Sequence, residues 1–235
     1  MPIHLDGPIN GAFGTRWMTD FWIRNNGQEP VSLAPWPCLT VCPPVFPLTS
    51  ALQAGFTLHN LPPFFQAPDG NPSRILYISR PGSSDVSMGL RFADLSRTSL
   101  NGGTDLPVIR ENELLLKEAQ LFNIPLADPA YRVLLRIYDT AYTTSTFRVV
   151  LYPQAEASQA EVHSEELTAF TSQTGEFRSK AAYAQLDVTD LLKLEKVWPA
   201  TVRIAIVPLR PGSRYWAFAS ITNNDTQLVT LATPQ

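Results

Sequence analysis

The sequence predicts an all-β protein built from two related β-sandwich halves. Only 17% of its residues are charged, and it holds 21 prolines in 235 residues. A helical surface needs many Lys and Glu side chains, whereas proline collects in turns and at strand edges because it fixes φ and lacks an amide donor. The composition therefore favours short strands that are joined by rigid turns.

A repeated strand pattern is the second observation behind this prediction. Residues 17–25 and 131–139 both alternate with a period of two and end on a short polar side chain, Asn25 or Asp139. A period of two places alternate side chains on one face, so each segment is typical of a half-buried strand that enters an Asx turn. The predicted inward residues are Trp17, Thr19, Phe21 and Ile23 in the first segment and Tyr131, Val133, Leu135 and Ile137 in the second.

The segments that follow keep the same order in both halves. The aligned pairs are residues 30–33 with 147–152, 56–61 with 184–189, 74–79 with 202–207, and 92–96 with 218–222. The last pair makes Phe92 equivalent to Phe218. Because the order agrees throughout, we interpret the chain as an internal repeat.

This repeat divides the chain into a first sandwich half at residues 1–104, a connecting segment at 105–123 and a second half at 124–235. Each half has the length of an immunoglobulin-like or jelly-roll-like sandwich. One large sandwich to which both halves contribute is the alternative arrangement. The connecting segment contains few of the Ser and Gly residues that make a linker flexible, so we expect the halves to be rigidly docked.

Two short stretches are compatible with helix. Residues 111–119 fit either two helical turns or a turn followed by a strand through Ile124, because prolines at 107 and 125 bound both choices. Residues 187–194 fit a second helical turn. We expect little other helix.

Charge and hydropathy narrow the range of partners. The net charge is −3 and no basic face is visible, so a nucleic-acid partner is not expected. No apolar run has the length of a transmembrane helix, so membrane insertion is not expected either. The first residues, Met1–Asp6, have neither the basic start nor the apolar stretch of a signal peptide, and on this ground a cytoplasmic location stays open.

Cys38 and Cys42 lie in a proline-rich C-x-x-x-C segment. This spacing favours a small disulfide, which implies an oxidising compartment. Two free thiols are the alternative. A metal site would need two more ligands, and because the histidines at 4, 59 and 163 are scattered, we predict no metal.

The sequence contains no recognisable catalytic or cofactor-binding motif. Enzymatic activity is therefore undecided, although a protein without catalytic activity is favoured, and no cofactor is predicted. The acidic residues that a glycosidase would need as a pair are spread along the chain: Asp20, Asp94, Asp105, Glu111 and Asp139. The arginines predicted to face outward are Arg132, Arg136, Arg148 and Arg203. We expect these arginines to pair with acids across strands or to stack on Trp22 or Tyr138.

Two tryptophans give the clearest indication of a binding surface. Trp22 and Trp216 lie on the strand faces opposite Phe21 and Tyr215, so they are either buried between the halves or exposed to solvent. On an exposed, flat β face, an indole offers a stacking surface for a sugar ring. The candidate binding residues are therefore Asp20, Trp22, Arg24 and Trp216.

The N-terminal arm, residues 1–13, has an extended character because it carries several glycines and prolines. Such an arm either pairs with the sheet edge of a neighbouring copy, which would give a homo-oligomer, or folds back on its own domain.

The segment Trp17–Asn26 resembles a W-x-T-[DE] strand module found in a family of uncharacterised exported bacterial proteins. The resemblance returns at residues 106–111 and 135–139, and at residues 216–227, which read WAFASITNNDTQ. The family has no established activity. The resemblance implies a β-sandwich fold and a secreted or cell-surface location.

These observations favour a non-enzymatic, exported structural or interaction protein, such as a subunit of a surface assembly. Its partner would be a second copy of the chain, or a surface glycan or protein. A carbohydrate-binding module is the alternative, and a hydrolase with its site between the halves is the least favoured reading.

Overall fold

In a computed structural model, the described residues are 8–11, 14–35, 50–59, 76–78, 85–96, 103–140, 145–154, 160–169, 182–194 and 197–235. Within these ranges the chain forms antiparallel β-strands, turns and short 3-10 segments, with no α-helix, which confirms the all-β class. The chain divides into two compact units. The first is drawn from Met1–Ile109, and the second comprises Arg110–Thr171 and Ala182–Gln235.

The first unit contains two sheets, A and B. Its strands are β1 (Ile9–Asn10), β2 (Arg16–Asn25), β3 (Val31–Pro35), β4 (Ser50–Leu52), β5 (Thr57–His59), β6 (Leu76–Ile78), β7 (Val86–Asp94) and β8 (Gly103–Leu106). In sheet A, β2 pairs with β7 on one side and with β1 and β5 on the other, and β8 pairs with β7. Sheet B has the order β4-β3-β6. The pairing of β1 means that this part of the N-terminal arm folds back on its own unit.

The second unit contains sheets C and D. Its strands are β9 (Ala119–Pro125), β10 (Tyr131–Asp139), β11 (Ser145–Pro153), β12 (His163–Ala169), β13 (Ala182–Asp187), β14 (Thr201–Pro208), β15 (Tyr215–Asn223) and β16 (Val229–Ala232). Sheet C has the order β13-β10-β15-β16, and sheet D has the order β12-β11-β14-β9. Side chains from both sheets share one core, in which Leu135, Phe147, Ile204 and Tyr215 are fully buried. The second unit is therefore a β-sandwich.

Strand alternation determines which residues enter the core. In β2, Thr19, Phe21 and Ile23 are buried, whereas Asp20 and Arg24 are exposed. β10 likewise buries Val133, Leu135 and Ile137. The predicted inward faces of both strands are correct, because the pleat sends successive side chains to opposite sides.

The predicted Asx turn after β2 is built around buried Asn25. Its Nδ2 donates to the carbonyl oxygens of Glu29 and Leu52 at 2.8 and 2.9 Å, and its Oδ1 accepts from the backbone N–H of Gly27 at 2.9 Å. All three bonds satisfy groups that would otherwise be costly to bury. Asn25 therefore joins the end of sheet A to sheet B.

The two units share a strand order. Sheet A contains β5-β2-β7-β8, and sheet C contains β13-β10-β15-β16. Sheet B contains β4-β3-β6, and sheet D contains β12-β11-β14 in the corresponding order. β1 and β9 break the correspondence, because β1 pairs with β2 and β9 pairs with β14.

The strand pairings change the predicted alignment of the last repeated segment. Thr19 pairs with Phe92, and Val133, which is equivalent to Thr19, pairs with Ile221. Phe92 is therefore equivalent to Ile221, not to Phe218. The prediction matched two similar Phe-Ala sequences, but Phe218 pairs with Arg136 on the opposite face of its sheet.

The connecting segment forms a turn followed by a strand, which is the second of the two predicted alternatives. A 3-10 turn at Glu111–Glu113 precedes an isolated bridge between Leu115 and Tyr215, and β9 follows. The Tyr215 hydroxyl donates a shared hydrogen bond to the carbonyl oxygens of Lys117 at 2.6 Å and Ile206 at 3.1 Å. Tyr215 thus attaches the segment to the sandwich from inside the core.

The second predicted helical turn is present as a 3-10 turn at Thr189–Lys193. The Oδ1 of Asp187 accepts from the backbone N–H groups of Thr189 and Asp190 at 3.0 and 3.3 Å, so it satisfies donors at the start of the turn. The Thr189 hydroxyl in turn accepts from the backbone N–H of Val133.

Candidate functional site

The candidate site is the face of sheet A opposite Phe21 and Ile23, which we call the outer face. Four strands contribute to it: Thr57 and His59 from β5, Asp20, Trp22 and Arg24 from β2, Ser87, Gly89 and Arg91 from β7, and Gly103 and Asp105 from β8. The pairing brings Asp20, Trp22 and Arg24 together on this one surface, as the sequence predicted for adjacent outward positions.

Trp22 lies across the neighbouring strand at Gly89. A Cβ at position 89 would stand 2.5 Å from Cε2 of the indole, so only glycine leaves room for the ring in this position. Trp22 and Gly89 are direct register partners, and His59 is the partner of Trp22 on the other side. Trp22 is only partly buried, so part of the indole is open to solvent.

Arg91 repeats this arrangement one strand further along. A Cβ at Gly103 would stand 2.5 Å from Nε of Arg91, which places the arginine stem over that glycine. Arg91 is the register partner of both Asp20 on β2 and Asp105 on β8. The three charged residues therefore form one row across the sheet, Asp20–Arg91–Asp105, and we call it the charged row.

The charged row makes no internal ion pairs. Asp20 and Asp105 are exposed and Arg91 is partly buried, and within the described part of the chain none of the three side chains takes part in a hydrogen bond or salt bridge. Their polar atoms are thus free to bond a ligand.

Arg24 is held in place by neighbours. Its Nε donates to Oδ1 of Asn26 at 3.2 Å, and its Nη1 donates to the Thr57 hydroxyl at 3.4 Å. Asn26 also donates from Nδ2 to the Ser87 hydroxyl at 2.6 Å. These bonds span β2, β5 and β7, so they order one end of the outer face.

The equivalent face of sheet C carries aromatic side chains where the outer face of sheet A carries mainly polar residues and glycine. The positions equivalent to Arg24, Thr57, Ser87 and Gly89 are occupied by Tyr138, Tyr183, Trp216 and Phe218. Tyr138 is 4% exposed and Phe218 is 0% exposed, and the ring of Tyr138 packs against those of Tyr183 and Phe218. Burial raises the pKa of Tyr138 well above its ordinary value of 10.0 and also raises that of Tyr183. Trp216 is the register partner of Tyr138, so this partly buried residue lies on the same aromatic face of the second unit.

The outward arginines of the second unit are occupied by partners. Arg203 lies 4.5 Å from the ring centroid of Tyr152 and donates to Gln120, and Arg136 lies 5.9 Å from that of Phe218. Arg148 forms an ion pair with Glu161 at 3.0 Å, and Arg132 donates to Gln227. The stacking partners are therefore Tyr152 and Phe218, where the sequence predicted Trp22 or Tyr138.

The remaining acidic candidates have structural partners. Asp94 and Asp139 are buried at strand ends, and Glu111 forms an ion pair with Arg214 at 2.8 Å. In the described ranges no cluster of three or more His, Cys, Asp and Glu side chains has the arrangement of a metal site. Cys38 and Cys42 lie outside the described residues, so their predicted disulfide stays a prediction.

Sequence reasoning missed Arg91, His59 and the two glycines as site residues and named Asp105 only as a candidate acid. A detectable signal existed: a glycine inside an alternating strand often marks close approach by another group. Residues 87–91 alternate Ser, Gly and Arg on one face. The pairing of β7 with β2 was needed to show what approaches Gly89.

In the part of the chain that the structure describes, no helix has the length and apolar character needed to cross a bilayer. Comparisons with protein-family models, with curated proteins and with solved structures found no match.

Proposed function

We propose that this protein is a non-enzymatic interaction protein that binds carbohydrate on the outer face of sheet A. The observation that carries the proposal is the partly exposed Trp22 indole over Gly89, beside the unpaired groups of the charged row. An indole provides an apolar surface for the C–H groups of a sugar ring, and the carboxylates and the guanidinium provide acceptors and donors for its hydroxyls.

The contrast between the two units supports this assignment. Where sheet A has Gly89 under an accessible indole, sheet C has Phe218, which is fully buried. A surface that combines one accessible aromatic ring with the unpaired side chains of the charged row is suited to a wet, reversible contact with a polar ligand. The face of sheet C is instead filled by its own side chains.

Export to the cell surface is part of the proposal. The likeness of Trp17–Asn26 to an exported strand module supports it, and a surface location would bring the outer face into contact with glycans. Fractionation of cells that produce the protein with a C-terminal tag checks this point: recovery in the cytosol alone would contradict it.

The binding function is tested on a glycan array with the full chain and the variant Trp22→Ala. We expect the wild type to bind a restricted set of glycans and Trp22→Ala to lose about tenfold or more in affinity, because burying one aromatic side chain is worth about 1.5–3 kcal/mol. Phe56→Ala is the matched control, since Phe56 is a 65% exposed aromatic residue of the same unit outside the outer face.

Two results would overturn the proposal. One is uniform or absent binding across the array by the wild-type protein. The other is equal loss of binding in Trp22→Ala and Phe56→Ala, because a specific site cannot depend equally on both rings. Thermal unfolding of each variant establishes that the fold is retained.

A further inference from the structure

We infer that the charged row forms a second sugar subsite beside Trp22, so that the ligand is a neutral oligosaccharide that runs across the strands. This inference rests on the proposed carbohydrate binding. It assigns binding roles to Arg91 and Asp105 and a positioning role to Gly103.

The spacing of the row fits a chain of linked rings. Neighbouring strands lie about 4.8 Å apart, so Asp20, Arg91 and Asp105 on three successive strands extend over about 10 Å. Trp22 is two residues along β2 from Asp20, about 6.6 Å away. A ring stacked at Trp22 therefore leaves the adjoining ring within reach of the charged row.

The charges of the row select a neutral ligand. One guanidinium stands between two carboxylates, which gives the row a formal charge of −1. An anionic sugar would be attracted by the Arg91 guanidinium but repelled by the carboxylates of Asp20 and Asp105. Neutral hydroxyls can donate to the carboxylates and accept from the planar guanidinium, which has several fixed donors.

The fold itself does not require this row. The equivalent positions on sheet C are Leu134, Ser220 and Leu231, so the same strand order forms there without the three charges. The Ser220 hydroxyl is also committed, because it accepts from Nη1 of Arg136 at 2.9 Å. The three charged groups therefore stand at positions where the fold does not require them, which leaves them available for a ligand.

Gly103 gives the subsite its geometry. The arginine stem lies over this glycine, and any larger residue there would meet Nε of Arg91 and the carbonyl oxygen of Phe92. Gly103→Ala is therefore expected to displace the guanidinium without removing its charge. This variant therefore tests whether binding depends on where the Arg91 guanidinium lies, because its charge is retained.

The test measures binding to linear neutral oligosaccharides of glucose, mannose and xylose, each from one to four units, and to oligogalacturonates of the same lengths. The proteins are the wild type, Trp22→Ala, Arg91→Ala, Gly103→Ala and the control Arg16→Ala. Arg16 is exposed on the same face of β2, about 13 Å from Asp20.

We expect wild-type affinity to rise at least fivefold from one unit to two or three in a neutral series and to be weaker for the galacturonates. Arg91→Ala and Gly103→Ala are expected to lose this rise and keep the single-unit affinity, whereas Arg16→Ala keeps both. Affinity that does not depend on length, a preference for galacturonates, or an unchanged rise in Arg91→Ala would overturn the second subsite. If Trp22-dependent binding persists in those cases, the proposed function stands, whereas absence of binding to every series removes both.

Discussion

Asp94 and Asn223 occupy equivalent positions at the ends of β7 and β15, and each uses its Oδ1 atom to close the turn that follows. Oδ1 of Asp94 accepts from the backbone N–H groups of Arg16 and Ser96, both at 3.0 Å. Oδ1 of Asn223 accepts from those of Asp225 and Thr226 at 3.0 and 2.8 Å. The two units therefore end equivalent strands in the same way, with an acid in one and an amide in the other.

Replacing Asp94 tests the importance of this acceptor. Asp94→Ala removes the acceptor for two backbone donors and the Ser96 hydroxyl, and we expect the free energy of unfolding to fall by about 1–3 kcal/mol. Asp94→Asn keeps an oxygen at this position, as Asn223 shows in the other unit, and should lose less than half as much. Urea unfolding measures both values, and equal losses would show that the charge, not the acceptor, is what matters.

Replacing tyrosine with phenylalanine should affect the free energy of unfolding differently at two positions of the second unit. Tyr215→Phe removes a hydroxyl that bonds the carbonyl oxygens of Lys117 and Ile206, so we expect a loss of about 1–3 kcal/mol in unfolding free energy. Among the described residues the buried Tyr138 hydroxyl has no hydrogen-bond partner. Tyr138→Phe should therefore be neutral or stabilising. A loss in Tyr138→Phe as large as in Tyr215→Phe would contradict this prediction.

The same tyrosines predict lower stability at high pH. Burial raises the pKa of Tyr138, Tyr183 and Tyr215 above 10.0 in the folded protein. Below about pH 9 these hydroxyls are protonated in both states, so their contribution is fully present. As the pH rises above 10, only the unfolded chain releases the protons, and stability falls by up to about 1.4 kcal/mol per pH unit for each group until the folded pKa is passed.

Urea midpoints at pH 8, 9, 10 and 11 measure this loss. The midpoint should be constant up to about pH 9 and then decrease. Tyr138→Phe should decrease less steeply above pH 10, because it has one fewer hydroxyl to ionise on unfolding. Parallel curves for the two proteins would show that Tyr138 does not contribute.

Gly89→Ala tests whether the position of Trp22 controls binding. The new Cβ would overlap the indole, so we expect the ring to be displaced and glycan affinity to fall by about tenfold, close to the effect of Trp22→Ala. Because the atoms in conflict belong to the end of a side chain on an exposed face, we expect the cost in stability to stay near 1 kcal/mol. A shift in tryptophan emission confirms the displacement, and unchanged binding despite that shift would exclude Trp22 as the stacking surface.

The sequence was sufficient to predict the fold class and the strand faces. Alternation in β2 and β10 identified the buried residues, since a half-buried strand must repeat every two residues. It also grouped Asp20, Trp22 and Arg24, because these alternate along one strand. The position of Trp22 over Gly89 was not predictable, because it depends on the register between two strands that are far apart in the chain.

The equivalence of Phe92 and Phe218 failed for a related reason. Similar residue types were aligned, although one ring lies on the inner face of its sheet and the other on the outer face. Only backbone pairing distinguishes the faces when two short apolar segments look alike. Arg91 was not predicted as a site residue for the same reason, because its register partners come from β2 and β8.

The strand order of the second unit has a consequence for how fast it forms. β10 pairs with β13 and β15, and β11 pairs with β14, so most of its pairings join segments that are distant along the chain. Long loops must close before such pairings contribute, and proteins of this kind fold in about milliseconds to seconds. A newly made chain therefore stays unfolded for longer than a helical protein of the same length, and during that time its apolar strands are unpaired and open to association with other chains.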